Sequence, residues 1–272
     1  MSIFYTHLSD RAVLRVSGAD REDFLQNLIT QDVSKCPSDG CMMAALLTPQ
    51  GKLLHDFLLF GEEHSLLIDC DAGQADALMK KLSLYKLRAD VMIEKTELAV
   101  HALWQEDGFP CPPAADFIED PRHEGLGLRA VLAKYDTGLP EKPPADWHAN
   151  RMRLGIAQGP QDMPPGSVFP LEYGFGLMQA IDFQKGCFVG QEVTSRTHRK
   201  GALRKKLHVV AWDGAAPDAK SEIMAGERIV GEMVAVETAH GLALIREDSL
   251  SLNLTAGDTP LRVSGGLFSE TA

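Results

Sequence analysis

An α+β protein ending in a small β-barrel or sandwich is the fold class this sequence predicts, on three observations. Short apolar strands alternate with amphipathic helices through residues 12–104. Three of those strands follow one another across tight turns. Beyond residue 203 the helical periodicity gives way to short strands separated by Gly-containing turns. At 272 residues the chain suits two or three sub-domains, with boundaries expected at 1–104, 105–200 and 201–272.

The elements follow in order. Residues 12–16 (AVLRV) form a strand, and Asp20 is placed to cap a helix with Asp23 in its first turn and Phe24, Leu25, Leu28 and Ile29 on one apolar face. Residues 42–47 and 53–60 flank the turn Thr48-Pro49-Gln50-Gly51, and 65–69 follows another turn, giving an antiparallel meander. Asp71 is a candidate cap for a helix in which Leu78, Leu82 and Tyr85 recur, and residues 97–104 form a further strand. Segments 105–125 and 136–146 read as Pro-, Gly- and acid-rich loops, 146–154 as a helix, and 155–170 as irregular. Strands are expected at 203–212, 228–237, 242–246 and 261–263. There is no internal repeat and no low-complexity tract.

Composition excludes several function classes. No apolar stretch approaches the roughly 20 residues that cross a bilayer. The first residues show neither a basic start with an apolar block nor an Arg-rich amphipathic presequence, so a cytoplasmic location is expected. The formal charge of −11 disfavours bulk nucleic-acid binding. The charge is uneven, however: residues 185–206 hold seven Lys or Arg against Glu192, a local +6 that leaves −17 on the remainder. Such a patch is either a solvated helix face or the receiver of an anionic ligand or acidic partner. The five cysteines, at 36, 41, 70, 111 and 187, form no CxxC pair, which argues against a structural zinc site and a disulfide framework.

Chemistry concentrates in residues 182–196, DFQKGCFVGQEVTSR. Gly186 and Gly190 bracket Cys187, allowing a sharp turn or close approach of a ligand. Gly190 can begin a helix over 191–200, with Glu192 in its first turn pairing with Arg196 and with Gly201 as the stop. Cys187 then lies just before a helix N-terminus and two residues from Lys185, and both favour a thiolate. A thiolate can attack an electrophile or ligate iron. The bland alternative is a buried filler, the usual fate of a lone cysteine between apolar residues.

The run Lys185-Gly186-Cys187-Phe188-Val189-Gly190-Gln191-Glu192-Val193 followed by Arg196 resembles the signature of the YgfZ family, which includes a mitochondrial iron–sulfur assembly factor. Phe24 to Val33 (FLQNLITQDV) resembles a segment shared with the glycine-cleavage T-protein, and Thr48 to Asp56 resembles the family's T-x-x-G-K hairpin. Residues 241–244 resemble part of its C-terminal barrel. The resemblance implies a T-protein-like ring of sub-domains around a central channel able to hold tetrahydrofolate, ending in a small β-barrel. It also implies a role in assembly or repair of iron–sulfur clusters, with Cys187 as nucleophile or as ligand of a [2Fe-2S] cluster shared with an A-type carrier protein. Lys185, Gly186, Cys187, Gly190, Gln191, Glu192 and Arg196 are the residues carried over.

For folate, Asp56 falls where the T-protein has its aspartate beside the reactive nitrogens, and a plain hairpin acid is the competing reading. Near Arg153-Leu154-Gly155 the T-protein pattern has a pterin-gripping glutamate where this chain has Gly155; Glu172 is a candidate substitute. The runner-up function is a tetrahydrofolate-dependent aminomethyltransferase using Asp56. A nucleic-acid module on residues 196–206 is a third reading, which lacks interleaved aromatics.

Overall fold

The computed structural model describes residues 2–38, 40–106 and 109–269. The expected meander is present: β3 (Cys41–Leu47), β4 (Leu53–Gly61) and β5 (Ser65–Asp71) lie side by side, and β2 (Arg11–Ser17) and β6 (Met92–Lys95) complete a five-stranded sheet in the order β3-β4-β5-β2-β6. The near-continuous apolar runs of β3 and β4 arise because both faces are covered. Met43, Ala45 and Leu47 face one core with Trp104 and Trp147, whereas Met42, Ala44 and Leu46 face another with the helices α1 (Arg21–Gln26) and α2 (Ala75–Lys86). Leu78 and Leu82 are buried there as their spacing predicts.

The helix capping differs in detail from the sequence reading. The Asp20 carboxylate accepts from the amide of Asp90 at 2.8 Å instead of capping α1, which stops at Gln26 and leaves Leu28 and Ile29 buried just beyond it. Asp71 precedes a single 3₁₀ turn, and Gln74 is the residue that opens α2.

A second sheet has the order β1-β7-β9-β8, built from β1 (Ile3–His7), β7 (Ala99–Gln105), β8 (Ile118–Glu119) and β9 (Leu128–Leu132). It runs across the expected 104/105 boundary, because β7 pairs on one side with β1, from Ile3–Gln105 to His7–His101, and on the other with β9, from Ala99–Leu132 to Leu103–Leu128. The helix α3 (Pro144–Arg153) covers it, and the short α4 (Gly159–Asp162) lies in the segment expected to be irregular.

The C-terminal part is a closed barrel rather than a sandwich: β10 (Lys205–Ala211), β13 (His240–Arg246), β12 (Arg228–Val236), β11 (Glu222–Ala225), β14 (Leu254–Ala256) and β15 (Thr259–Gly265), with β15 returning to β10. The period of two along the strands divides its apolar residues. Val210, Trp212, Ala243 and Ile245 fill the barrel, while Leu207, Val209, Leu242 and Leu244 join Trp147 and Phe175 in the core shared with the rest of the chain. Among the described residues no helix is long and apolar enough to cross a membrane.

An ionic chain ties the two sheets together. Arg11 Nε and Arg129 Nε each donate at 2.6 Å to opposite oxygens of Asp69, and Arg129 reaches Asp120 at 3.4 Å. Arg122 grips Asp120 through two bonds of 2.8 and 2.6 Å and also donates to Gln158. The guanidinium groups of Arg122 and Arg129 lie 5.6 and 5.5 Å from the Trp147 ring. All of these side chains are essentially buried.

Candidate functional site

The loop 182–190 is where the three stretches singled out in the sequence meet. Thr30, in the first stretch, accepts at its carbonyl from the Asp182 amide at 3.0 Å, donates its hydroxyl to Ala180 O at 2.7 Å, and accepts from the Ala45 amide at 2.9 Å. The second stretch, the 48–51 turn, packs against Gly190. A Cβ on Gly190 would stand 2.6 Å from the Thr48 carbonyl oxygen and 3.1 Å from Gly51 Cα. Within the loop, Asp182 Oδ1 accepts from the amides of Gln184 and Lys185 at 2.7 and 3.1 Å, and its other oxygen pairs with Lys35. The rings of Phe183 and His198 stack, 3.7 Å apart and 9° from parallel.

Lys185 is turned inward. Its ammonium donates to the carbonyl oxygens of Gln26, Ile29 and Gln31 at 2.6, 2.9 and 2.8 Å, which uses all three of its N–H groups. Burial pushes its pKa down to about 8, with Asp32 and Asp182 opposing the shift. No N–H of Lys185 is left to donate to the Cys187 sulfur: all three hold the chain end that follows α1, and Lys185 is a clamp that fixes the loop. Cys187 itself is exposed, with Phe188 buried beside it as the loop's apolar anchor. Burial pushes the thiols of Cys36 and Cys70 up to about 11 and about 12, and those of Cys41 and Cys111 upward as well. Of the five cysteines, Cys187 is exposed, Cys36, Cys41 and Cys111 are partly buried, and Cys70 is buried.

The helix α5 (Gln191–Lys200) begins and ends at the residues the glycines predict. Gly190 and Gly201 both adopt the left-handed conformation, at φ 84° and 70°. Gly186 is different: a Cβ there would meet nothing within 4 Å. Gln191 reaches the Lys185 carbonyl only at 3.5 Å. Glu192 and Arg196 are exposed, and among the described residues they do not form the expected ion pair. Replacing Gly190 by Ala forces a left-handed L-residue, costing about 1–2 kcal/mol, and drives a methyl group into the Thr48 carbonyl. We expect Gly190→Ala to lower the unfolding free energy, read from denaturant titration, by at least that much, while Gly186→Ala leaves it within about 0.5 kcal/mol. Equal midpoints for the two variants would contradict this assignment.

The folate candidates fall in separate places. Asp56 is buried, with both carboxylate oxygens facing the Gly159 amide at 3.2 and 3.3 Å, and the cavity beside it is about 10 Å³. Glu172 is half-buried and lines a different cleft of about 330 Å³ against α5; burial raises its pKa, with Lys205 opposing. A larger cleft of about 680 Å³ runs beside the loop, walled by Met43, Met178, Ile181 and Phe183, with Gln179 and Gln184 at its edge. The sequence reading missed this cleft and the Phe183–His198 stack. Its one local signal was Asp182 two residues before Gln184, the spacing of an Asx turn. Among the described residues no group of three or more His, Cys, Asp or Glu is arranged to hold a metal ion.

Comparison with known proteins bears on the whole chain. Residues 204–265 match the CAF17 C-terminal beta-barrel domain. The mitochondrial iron–sulfur cluster assembly factor IBA57 of Mus musculus is 33% identical, over 89% of this chain and 77% of that protein. The Homo sapiens protein of the same name is also 33% identical, over 95% of this chain and 80% of its own length. Among solved structures, the glycine cleavage system aminomethyltransferase T from Bartonella henselae superposes with a TM-score of 0.75 over 99% of this chain and 87% of that one, at 13% identity. The fold is thus T-protein-like. The cytoplasmic expectation is corrected: these relatives are named mitochondrial, which points away from a cytoplasmic location.

Proposed function

The chain belongs to the IBA57 family of iron–sulfur cluster assembly factors, and from that premise we propose that it acts in assembly or repair of such clusters with Cys187 as the thiol offered to the cargo. The observation that carries this reading is convergence: residues 24–33, 48–51 and 185–196 are packed together around a loop whose one exposed nucleophile is Cys187. The Lys185 clamp, the Asp182 turn and the Phe183–His198 stack hold the backbone still while the sulfur stays outside. The finer likeness to YgfZ rests on the same run of residues.

Chemically, a cysteine sulfur gives up its proton to water and takes one iron position as another ligand leaves, with no change of oxidation state. A [2Fe-2S] cluster needs four such positions, so three come from elsewhere. An A-type carrier is the partner we propose for them.

We also place tetrahydrofolate in the 680 Å³ cleft. That volume lies within the range of ligand sites, and Met43, Met178 and Ile181 supply apolar walls for a planar ring with amides at the edge. The cavity beside Asp56 holds no more than a water, and Gly159 already occupies that carboxylate. This favours binding, rather than aminomethyl transfer through Asp56, as the folate's part. Bound folate supplies a reduced pterin; the residues of this chain orient it and shield one face.

The test is anaerobic mixing of this protein with a [2Fe-2S]-loaded A-type carrier, followed by visible absorption and size. Coloured material at the mass of the complex is expected. Colour that stays with the carrier alone overturns the shared-cluster reading. Titration with tetrahydrofolate in the same sample should show saturable binding that Met178→Trp abolishes; binding unchanged in that variant removes folate from the cleft.

A further inference from the structure

The cleft between α5 and the start of the barrel has features the cluster chemistry does not use. Its floor is apolar, from Phe169, Leu171, Val193 and Leu203; its rim carries Lys200 and Arg204, and the one acid in its lining, Glu172, is half-buried and feels the charge of Lys205. Phe169 is more than a third exposed, and Lys52 stands 5.8 Å above its ring. Lys206 is neutralised by Glu247, but among the described residues Arg196, Lys200, Arg204 and Lys205 have no acidic side chain in salt-bridge range. They are the bulk of the cationic patch on a protein of net charge −11. At 330 Å³ the cleft is at the lower end of ligand sites, small for a cofactor and suited to one or two large side chains.

We infer that this cleft is a docking socket for an acidic protein segment that inserts an aliphatic or aromatic side chain between Phe169 and Val193 while its carboxylates meet Lys200 and Arg204. Charge complementarity selects the occupant: an acidic chain is steered toward this cationic run on a protein whose net charge is −11. The apolar floor then supplies the desolvated anchor that a polar rim alone lacks. Because α5 starts four residues after Cys187, a partner seated here lies along the helix that leads from the thiol. The inference rests on the assembly reading for the partner's role, though not for the chemistry of the socket.

A fluorescein-labelled acidic octapeptide with a central Leu-Phe pair is the probe, read by anisotropy against the full-length protein. Saturable binding is expected that weakens as salt rises from about 50 to about 500 mM. Replacing Leu-Phe by Gly-Ser should cost about tenfold, or 1.4 kcal/mol. Lys200→Glu with Arg204→Glu should cost at least tenfold, and Ala202→Trp, which plugs the cleft at an exposed loop position, should abolish binding. If that variant fails to fold, as judged by circular dichroism, Thr197→Tyr takes its place. Equal binding of both peptides shows charge alone and overturns the socket, as does binding unaffected by the plug. Tighter binding of an oligouridine that displaces the peptide overturns the occupant. Cys187→Ser should bind the peptide normally. Loss of peptide binding in the plugged protein with cluster capture intact would confine the socket to another partner, whereas failed cluster capture with peptide binding intact would count against the assembly reading alone.

Discussion

Cys187→Ser is expected to fold as the parent does and to retain no cluster with a carrier. The side chain is exposed, so exchanging sulfur for oxygen removes no packing, and stability should stay within about 0.5 kcal/mol. The proposed cluster ligation, in contrast, requires the soft sulfur donor, for which a serine hydroxyl is a poor substitute that stays protonated near neutrality. Absorption of the mixed sample after gel filtration is the readout, with unfolding by denaturant run on the same preparation. Cys36→Ser, Cys41→Ser and Cys111→Ser are the contrasts. Those thiols are partly buried and their deprotonation is disfavoured by burial, so each should leave cluster capture at the parental level. Colour retained by Cys187→Ser, or lost in one of the other three, would move the working group to a different sulfur.

How far this was legible in the sequence follows from how local each signal is. The limits of α5 were readable to the residue, because both ends require a left-handed backbone that Gly190 and Gly201 supply. The meander was readable because Thr48-Pro49-Gln50-Gly51 is a turn between apolar runs. Even so, the runs alone did not say that β3 is buried on both faces. β1 and β9 were missed: β1 is a short strand whose partner, β7, lies almost a hundred residues away. β11 and β14 are short strands that only barrel closure stabilises.

For the candidate site, the stretches that pack together were legible, but the contacts of their residues were not. Lys185 stands two residues from Cys187, and proximity along the chain suggested an electrostatic effect on the sulfur. The carbonyls of Gln26, Ile29 and Gln31 that actually hold it are some 150 residues earlier, and backbone oxygens leave no trace in a sequence. Likewise Arg11, Asp69, Asp120, Arg122 and Arg129 look like ordinary surface charges on strands and loops. Only the packing of two sheets against Trp147 turns them into an interior network.

That network carries the largest stability effect expected in the molecule, at Asp69→Asn. Asp69 accepts from Arg11 and Arg129 at 2.6 Å on its two oxygens, with no solvent access to either partner. An amide of the same shape keeps one acceptor, presents an NH₂ group to a guanidinium, and leaves buried Arg11 without an anion in salt-bridge range among the described residues and Arg129 with only its 3.4 Å contact to Asp120. Breaking a buried pair from one side costs about 3–5 kcal/mol, which is a large share of the stability of an ordinary domain. The same carboxylate sets a pH dependence. Burial opposes its ionisation, but Arg11 and Arg129 outweigh that and hold its pKa below the ordinary value, and Arg122 does the same for Asp120. The unfolded chain therefore binds more protons than the folded one as pH falls through about 4, the usual carboxylate range. The stabilisation is complete above that value and drains away below it. Denaturant midpoints measured from pH 7 to pH 3 should fall steeply for the parent below about pH 4 and more gently for Asp69→Asn, which has less of this term to lose. Parallel curves would show that the interior arginines are neutralised by some other group, and that Asp69 merely fills space between the sheets.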